Sequence, residues 1–476
     1  MKYFLEQPRR GKSSVEQIMV NKQSTVRVWV RRVLAVMVIC VCVYMSQAQN
    51  VYVSASATDD SGTGSAWETA KQTLAAGLAA AGSAGTVFVK AGTYSIDAEL
   101  TIPAGVTVMG GYDPASTGID TSQRRLPGAN LHWNDNTWCT IIVGAGNHRI
   151  ATVQGELDGC VLRNGYTSTL GGGVLIDGGN AVVRYCVIKE CDAYNEDPYG
   201  TPAEGGGAYV QNGGALLNCV VTECRGDKGA GVAGGNGSLI SNTITRNRPT
   251  DCGVVADYDG NLYHTVVIGD QCWMRENLRT TRYADGTLIE EGTSYSTTTP
   301  YRYRGYVSET MHISDPGIFA RCGYLYNWVA VMHGAASSNT NPSGVQGICP
   351  TGWHVPSMAE WDQMANFVMS VPKYRCNGNN SYNAKSLSNK TGWVDYSGTC
   401  CAAWQTFSNN ATLFSACPVG YYDGNYNGYT YYADFWTSTR TGSSAYFRYI
   451  DYYYPDMRSN YWGQGYGSSV RCVKDN

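Results

Sequence analysis

The side chains best suited to contact a ligand are concentrated in one segment near the C-terminus. Tyrosine is dense between Gly420 and Gly467, where it is interleaved with acidic, basic and amide residues. Antibody contact loops have this composition, because aromatic rings give contact area at low cost in conformational entropy. The candidate binding residues are Tyr446, Tyr449, Tyr452, Tyr453, Tyr454, Asp456, Arg458, Asn460, Tyr461, Trp462 and Tyr466. We expect them to form an exposed binding face, with a tyrosine-lined core strand as the alternative.

Strand periodicity predicts how this segment divides between two surfaces. In a strand, Tyr446 and Arg448 lie on one face, and Phe447 and Tyr449 lie on the other. About half of the candidate residues should therefore be buried.

Carboxylates in the first half of the chain do not form a pattern that indicates catalysis. Enzymes that cleave polysaccharides need paired acids, with Arg or Lys, projecting from neighbouring parts of the fold. Within the repeat described below, the acids fall at unlike positions: Asp158, Asp177, Glu190, Asp192, Glu204 and Asp227. Arg163, Lys189 and Arg246 are predicted to share one column, as basic residues on a solvated face commonly do. We predict no catalytic residue and expect the protein not to be an enzyme.

The cysteines and histidines do not have the spacing of a metal site. No Cys-x-x-Cys pair occurs, and the six histidines are scattered. We therefore expect no metal and no cofactor. The 17 cysteines are better explained by disulfides and by buried thiols.

Length and charge limit the classes of protein that remain. A chain of 476 residues is too long for one ordinary core, so two domains are expected. The net charge of -3 does not indicate a basic surface, so we expect no nucleic-acid partner.

The N-terminus has the pattern of a secretory signal. Arg27, Arg31 and Arg32 precede an apolar run over residues 33–43, and small residues follow at Ser46 and Ala48. The run is too short to cross a bilayer, so no membrane span is expected in the mature chain. We assign residues 1–48 to the signal peptide, with Met19 as an alternative start. In an exported protein, cysteines are read as disulfides first.

The elements of the first half are predicted from an internal repeat. Four aligned segments begin at Cys160, Cys186, Cys219 and Thr243 and are separated by glycine-rich turns. Short β runs repeated in this way predict stacked coils, each of which buries its inward side chains against the next. The expected columns are Cys160, Cys186, Cys219 and Thr243, then Val161, Val187, Val220 and Ile244. Cys191 and Cys224 would form a further column. We expect buried thiols in these columns rather than disulfides.

An alanine-rich segment precedes the repeat. It predicts a helix over Ala70–Ala81 that closes one end of the stack. With the following Gly92-Thr93-Tyr94 strand, this opening resembles the N-terminal cap of pectin-lyase-like proteins. The resemblance covers roughly residues 50–248. It implies a right-handed parallel β-helix over 49–250 and says little about activity.

After Arg248 the composition shifts to Tyr, Trp and Asn, and five phrases appear in order. They begin at Ile268, Gly323, Gly347, Phe435 and Ser468, and the first contains Trp273-Met274 and Glu276-Asn277-Leu278. Together they resemble the Fibrobacter succinogenes major paralogous domain. The resemblance implies an α+β, C-type-lectin-like domain over 251–476, so the chain as a whole is expected to be mainly β.

The lectin-like resemblance also implies how some residues are placed. Such a fold returns its last strand beside its early helix, which favours a Cys349–Cys472 disulfide. Cys252 with Cys272, and a pair within Cys376, Cys400, Cys401 and Cys417, are further hypotheses. The calcium-dependent sugar motifs of lectins are missing from this half, so that mode is not expected.

Residue patterns add two expectations for this half. Ser357 with Glu360 predicts a capped helix whose apolar face holds Trp361, Met364, Ala365 and Val368. Trp353, Trp361 and Trp436 are expected in the core.

These observations predict a secreted or surface-displayed binding protein of a bacterium. In this hypothesis the β-helix is a stalk, and the lectin-like part is an adhesin head that contacts an extracellular glycan or a cell-surface protein. A pilus or other surface assembly is one form of it. The alternative is a polysaccharide-active lyase or hydrolase in the β-helix, with the C-terminal domain as a targeting module. A purely structural surface-layer component is a third possibility.

Overall fold

In the computed structural model of this chain, the structure describes residues 49–115, 117, 124–127, 138–197, 199–304, 320–398, 400–402 and 410–475. The signal peptide expected at residues 1–48 lies outside them. The chain is mainly β, as predicted. Among the described residues, no helix is both long and apolar enough to cross a membrane.

Residues 50–249 are built from short strands that pair in parallel, and we call them the coil stack. The strands are β1 Asn50–Val53, β2 Thr86–Lys90, β3 Gly92–Ile96, β4 Leu100–Ile102, β5 Thr107–Tyr112, β6 Thr140–Gly144, β7 Ala151–Val153, β8 Glu156–Asp158, β9 Cys160–Arg163, β10 Tyr166–Thr167, β11 Val174–Asp177, β12 Val182–Arg184, β13 Val187–Lys189, β14 Asp192–Ala193, β15 Ala208–Gln211, β16 Ala215–Leu217, β17 Val220–Thr222, β18 Arg225–Gly226, β19 Val232–Gly234, β20 Ser238–Ile240, β21 Thr243–Thr245 and β22 Arg248–Pro249.

These strands form four parallel sheets, to which each successive coil adds one strand. The sheet orders are β1-β2-β5-β8-β12-β16-β20, β3-β6-β9-β13-β17-β21, β4-β7-β11-β15-β19 and β10-β14-β18-β22. Inward apolar side chains of successive coils meet in one continuous core, in which Leu157, Val183 and Leu216 form one ladder. Gly171 and Gly205 turn the chain at equivalent places with φ of 66° and 73°, a conformation that favours glycine.

The cysteine columns lie in this core as buried thiols. Cys160, Cys186 and Cys219 stack on one another, and the sulfur of each later residue accepts a hydrogen bond from the backbone N–H of the one before, at 3.5 and 3.4 Å. Cys191 and Cys224 form the second column. The thiols therefore satisfy backbone donors in addition to filling space.

The alignment predicted for the last coil is wrong by one residue. Val220 pairs with Thr243, so Asn242 rather than Thr243 follows Cys219 in its column. The amide oxygen of Asn242 accepts from the backbone N–H of Cys219 at 2.8 Å, in the place that a cysteine sulfur takes in earlier coils. The same shift places Arg246 outside the column of Arg163 and Lys189.

The predicted N-terminal helix is shorter than expected. Helix α1 spans Leu74–Ala81, after a 3-10 turn at Trp67–Thr69. It begins late because Lys71 pairs with the edge strand β1, and the Thr73 side chain then accepts from the backbone N–H of Ala76 as the helix cap. The helix packs against β1, β2 and β4 and covers that end of the core.

Residues 254–475, which we call the C-terminal part, combine antiparallel sheets with short helices. The strands are β23 Val254–Ala256, β24 Leu262–Ile268, β25 Gln271–Met274, β26 Glu290–Glu291, β27 Tyr301–Arg304, β28 Tyr324–Asn327, β29 Trp353–His354, β30 Tyr421–Tyr422, β31 Tyr426–Asn427, β32 Tyr432–Thr441, β33 Ser444–Asp451, β34 Arg458–Gly463, β35 Gly467–Ser468 and β36 Val473–Lys474. The helices are α2 Trp328–Met332, α3 Met358–Ser370 and α4 Ala384–Leu387, with 3-10 turns at Pro372–Tyr374 and Cys376–Gly378.

The end of the chain returns to the start of the C-terminal part. Strand β36 pairs with both β25 and β29. Disulfides join Cys349 to Cys472 and Cys252 to Cys272, the two pairs named from the sequence. Two further disulfides link Cys376 to Cys400 and Cys322 to Cys417, and the second of these was not anticipated.

Helix α3 forms as its sequence predicts. The Ser357 hydroxyl accepts from the backbone N–H of Glu360, and the Glu360 carboxylate accepts from the backbone N–H of Ser357. The predicted apolar face of α3 is buried, and so are Trp353, Trp361 and Trp436. These tryptophans therefore belong to the core.

A buried ion network joins the coil stack to the C-terminal part. The Asp192 carboxylate contacts the guanidinium of Arg225 at 3.0 Å and the ammonium of Lys373 at 2.7 Å. Arg225 also donates to the backbone oxygen of Ala411 at 3.0 Å, and Tyr194 packs within an apolar cluster of the C-terminal part. Charged and apolar contacts together fix one half of the chain against the other.

Replacing Asp192 by Asn should lower the thermal unfolding midpoint. Arg225 and Lys373 would lose their carboxylate, and removing one partner of a buried ion pair costs about 3–5 kcal/mol. Asp270→Asn is the control, because Asp270 pairs with Arg248 at 3.0 Å but its side chain is 82% exposed. That change should cost less than about 1 kcal/mol. Equal effects of the two variants would contradict a central role for Asp192.

The column thiols should resist alkylation in the native protein. Burial raises the pKa of the Cys160 thiol to about 12, so both access and thiolate are lacking. With iodoacetamide at pH 8, mass spectrometry should find label at Cys160, Cys186, Cys191 and Cys224 only after denaturation. Rapid labelling of the folded protein, or disulfides among these residues, would disprove the buried-thiol columns.

Candidate ligand-binding face of the C-terminal sheet

The candidate binding residues lie on the sheet of β32, β33 and β34 and on the turns around it. Antiparallel pairing places directly opposed residues on the same face. Tyr432 opposes Asp451, Asp434 opposes Tyr449, and Tyr449 also opposes Arg458. We call this surface the aromatic face; its members are Tyr432, Asp434, Trp436, Phe447, Tyr449, Asp451, Arg458, Asn460 and Trp462.

The opposite surface packs toward helix α3, and we call it the helix face. Arg448 on this side forms an ion pair with Asp362 of α3. Tyr446 and Tyr461 lie beside it, opposed across the strands, with their rings edge to face at 5.9 Å. The candidate residues are therefore divided between two surfaces of the sheet and do not form a single one.

The sequence predicted that about half of the candidate residues would be buried, and the structure differs from this prediction. Asn460, Tyr453 and Tyr461 are exposed, the last two by 49% and 55%. The other eight candidate residues are half-buried, and none is fully buried. Each ring is thus supported on one side by the protein while part of it meets solvent.

One group of rings is centred on Trp462 of the aromatic face. Its indole lies 5.2 Å from the Tyr466 ring in a stacked arrangement, 4.6 Å from Tyr421 and 3.9 Å from Phe447. Phe447 is buried, so it anchors Trp462 in a fixed orientation. Rigid, partly exposed rings of this kind are suited to contact an apolar ring or sugar face.

A second group of rings lies at the turn between β33 and β34. Tyr452 and Tyr453 contact the Tyr396 ring at 5.6 and 5.3 Å. The guanidinium of Arg458 lies 3.4 Å from the centre of the Tyr454 ring and 3.3 Å from Asp456. Arg458 is therefore already held by a carboxylate and a ring.

Two carboxylates lie between these groups of rings. Asp434 is 1% exposed, and its Oδ2 atom has no hydrogen-bond partner among the described residues. Burial, and then the charge of Asp451, raise the pKa of Asp434 well above its usual range. The pKa of Asp451 is also raised by burial, although its Oδ1 atom accepts from the backbone N–H of Tyr453 at 2.7 Å.

Sequence reasoning missed Asp434, Tyr432 and Tyr421 as members of this site. They lie within the tyrosine-dense segment but before Tyr446, the first residue chosen as a candidate, and they reach the site through strand pairing and ring contacts. One signal was available, because Asp434 is an acid directly before the buried pair Phe435-Trp436. An acid in an otherwise apolar strand is a functional candidate.

A second candidate site is a groove of about 770 Å³ between the coil stack and the C-terminal part. Its lining includes Glu190 and Glu223 from neighbouring coils and Lys373 and Tyr374 from the opposite side. The Nζ atom of Lys189 lies 3.2 Å from Glu190 and 3.6 Å from Glu223, which draws the two carboxylates together.

The predicted absence of matched acids in the coils is therefore wrong at this place. Glu190 and Glu223 occupy the same corner of successive coils, with φ of 56° and 57°. Burial raises the pKa of Glu190, but Arg163 and Lys189 outweigh it and leave that pKa below its usual value. Glu190 is consequently an ionised carboxylate at neutral pH. No group of His, Cys, Asp and Glu among the described residues has the arrangement of a metal site.

Replacing Asp434 by Asn should stabilise the protein increasingly as pH rises. A carboxyl whose pKa is raised by folding contributes its full stability below the unfolded pKa of about 3.9, and that stability is lost as pH rises through the folded pKa. Asn does not titrate, so the variant and the parent should match near pH 4 and diverge above it by up to about 1.4 kcal/mol per pH unit. Urea unfolding from pH 4 to pH 8 measures this. A pH-independent difference would show that Asp434 is ionised in the folded protein.

The comparisons with known proteins concern the second half of the chain. No curated protein and no solved structure matches this chain. The resemblance that the ordered phrases indicated is confirmed within the C-terminal part, because residues 266–474 match the family model of the Fibrobacter succinogenes major domain.

Proposed function

We propose that this chain is a secreted or surface-displayed binding protein whose C-terminal part contacts an extracellular glycan or a cell-surface protein. The observation that carries the proposal is a set of half-buried or exposed rings, namely Trp462, Tyr421, Tyr466, Tyr453, Tyr452 and Tyr396. Exposed aromatic clusters held by a rigid sheet are typical of recognition surfaces. The coil stack acts in this proposal as the stalk of an adhesin.

The architecture that we propose is a right-handed parallel β-helix followed by a C-type-lectin-like domain. Four parallel sheets built coil by coil support the first part. The return of β36 to β25 and the Cys349–Cys472 disulfide support the second. Four disulfides among the described residues are typical of proteins in an oxidising, extracellular compartment. Incorporation into a pilus or another surface assembly is compatible with this arrangement.

Substitution of the exposed rings should abolish binding without unfolding the chain. We expect Trp462→Ala and Tyr453→Ala each to weaken binding of residues 49–476 on a glycan array, or to host-cell surface proteins, by at least about tenfold. A buried aromatic anchor of an interface is worth ~2 kcal/mol or more. Thermal unfolding and far-ultraviolet circular dichroism verify that the variants are folded.

The matched control is Tyr199→Ala. Tyr199 is 61% exposed and belongs to the coil stack, and its ring packs edge to face on His264, a residue outside the aromatic face. Its replacement should leave binding unchanged. A ligand that binds all three variants as tightly as the parent would place the binding surface elsewhere.

A second function is favoured by the groove that contains Glu190 and Glu223. Enzymes that hydrolyse glycosidic bonds use two carboxylates, ~5–10 Å apart, on either side of the bond. Both glutamates lie within 4 Å of Lys189 and line the groove of about 770 Å³. We therefore retain a polysaccharide-active enzyme, with the C-terminal part as targeting module, as the alternative proposal.

The two proposals predict different results when the mature chain is incubated with a panel of bacterial, plant and host polysaccharides. A binding protein should release neither reducing ends nor unsaturated products. An enzyme should release one of these, and Glu190→Gln or Glu223→Gln should reduce its rate by at least about a hundredfold. Glu204→Gln is the control, because Glu204 pairs with Lys228 outside the groove lining. Product formation that requires Glu190 would replace the leading proposal with the alternative.

A further inference from the structure

Four residues of the aromatic face form a square of alternating acid and tyrosine. Strand β32 contributes Tyr432 and Asp434, and strand β33 contributes Asp451 and Tyr449 directly opposite them. The acids therefore occupy one diagonal of the square and the tyrosines the other. Diagonal side chains in an antiparallel pair are ~7–8 Å apart at their backbones, so two aspartates can reach one small group placed between them.

The side chains of the square lie close enough to influence one another. Burial, and then the charges of Asp451 and Asp434, raise the pKa of the Tyr432 hydroxyl. The pKa of Tyr449 is raised by burial, with Asp451 and Asp434 among the further causes. The strand register places the Asp434 side chain on the same face of the sheet as both tyrosines.

The square has more negative than positive charge. Asp434 has no cation among its electrostatic partners in the described residues. The charge of Arg458 lowers the pKa of Asp451 and partly offsets the effect of burial. However, the Arg458 guanidinium already contacts Asp456 at 3.3 Å and the Tyr454 ring. A buried carboxylate oxygen that lacks a hydrogen bond costs free energy, so such a group requires a role that compensates for it.

We propose that the square of Tyr432, Asp434, Tyr449 and Asp451 binds a protonated primary amine of the ligand. The proposal rests on the binding function assigned above to the aromatic face and names the group that is recognised there. An ammonium is a compact cation with three N–H donors and no acceptor, which suits two carboxylates at opposite corners. Tyrosine rings on the other corners attract a cation through their faces.

The amine competes with protons for the acid pair. Burial raises the pKa of both carboxyl groups and so favours their protonated forms, whereas a bound ammonium favours the charged forms. The only covalent bond that breaks is the O–H bond of a protonated carboxyl group. An uncharged amide of the same shape offers one N–H and no charge, so it cannot replace the proton in this way.

Two sources can provide such an amine, namely an amino sugar and a lysine side chain. Two pairs of probes separate them: a glucosamine tetramer with an N-acetylglucosamine tetramer, and an Nα-acetylated lysine tripeptide with the same peptide also acetylated at every Nε atom. Within each pair the shape is similar and the positive charge is lost on acetylation. Isothermal titration of residues 49–476 at pH 7 measures all four.

We expect the amine member of at least one pair to bind at least tenfold more tightly than its acetylated partner. Asp434→Asn and Asp451→Asn should each remove that preference. Asp270→Asn is the matched control, since Asp270 is an exposed aspartate that pairs with Arg248 outside the aromatic face. It should retain the preference. Because Asp434→Asn is expected to stabilise the fold, loss of selectivity in that variant cannot be attributed to unfolding.

The outcomes separate this inference from the proposed function. Equal binding of amine and acetylated probes, or a preference that survives both aspartate variants, overturns the amine site and leaves a binding face that depends on Trp462 intact. Failure of all four probes overturns it as well, provided that array binding still requires Trp462. If the array shows no binding that requires Trp462, the proposed function is overturned instead. Preference for the lysine peptide alone supports the amine site and assigns the ligand to a protein.

Discussion

The carboxylate of Asp192 lies buried between Arg225 of its own coil stack and Lys373 of the C-terminal part. Together with the apolar packing of Tyr194, this contact holds the coil stack against the C-terminal part. The groove near Glu190 exists only because the segment after α3 is held opposite the coils. The aromatic face lies on a sheet whose other side packs on that same helix. The partners of this buried acid line the groove, and the helix that precedes Lys373 supports the sheet of the aromatic face from its other side.

The repeat was recognised from sequence because its inward residues keep their type from coil to coil. Cys160, Cys186 and Cys219 occupy one column, and parallel pairing follows from that regularity. The last coil was misaligned by one position, since Asn242 has little in common with cysteine in size or hydropathy. Its amide nevertheless performs the same task of accepting a backbone N–H. Residue type alone does not reveal such an equivalence; the hydrogen-bonding capacity of the side chain does.

Composition located the tyrosine-rich segment but could not assemble the site. A site on a sheet contains residues from neighbouring strands, and their register is set by pairing over distances in the chain that local patterns do not encode. Asp434 and Tyr432 join Tyr449 and Asp451 only through the β32–β33 register. Glu223 was not compared with Glu190, although the alignment of Cys186 with Cys219 gives both acids the same position in their coils.

The parallel ladders of the coil stack make its length adjustable. Within the stack, each coil pairs with the coils before and after it and extends the parallel sheets by one strand. Neighbouring strands of a sheet are ~4.8 Å apart. The contacts to the C-terminal part begin at Tyr166 and Asp192, whereas α1 closes the opposite end. Coils inserted before Tyr166 would leave the ion network intact and move the closed end away in fixed steps. The number of coils therefore sets the length of the stack.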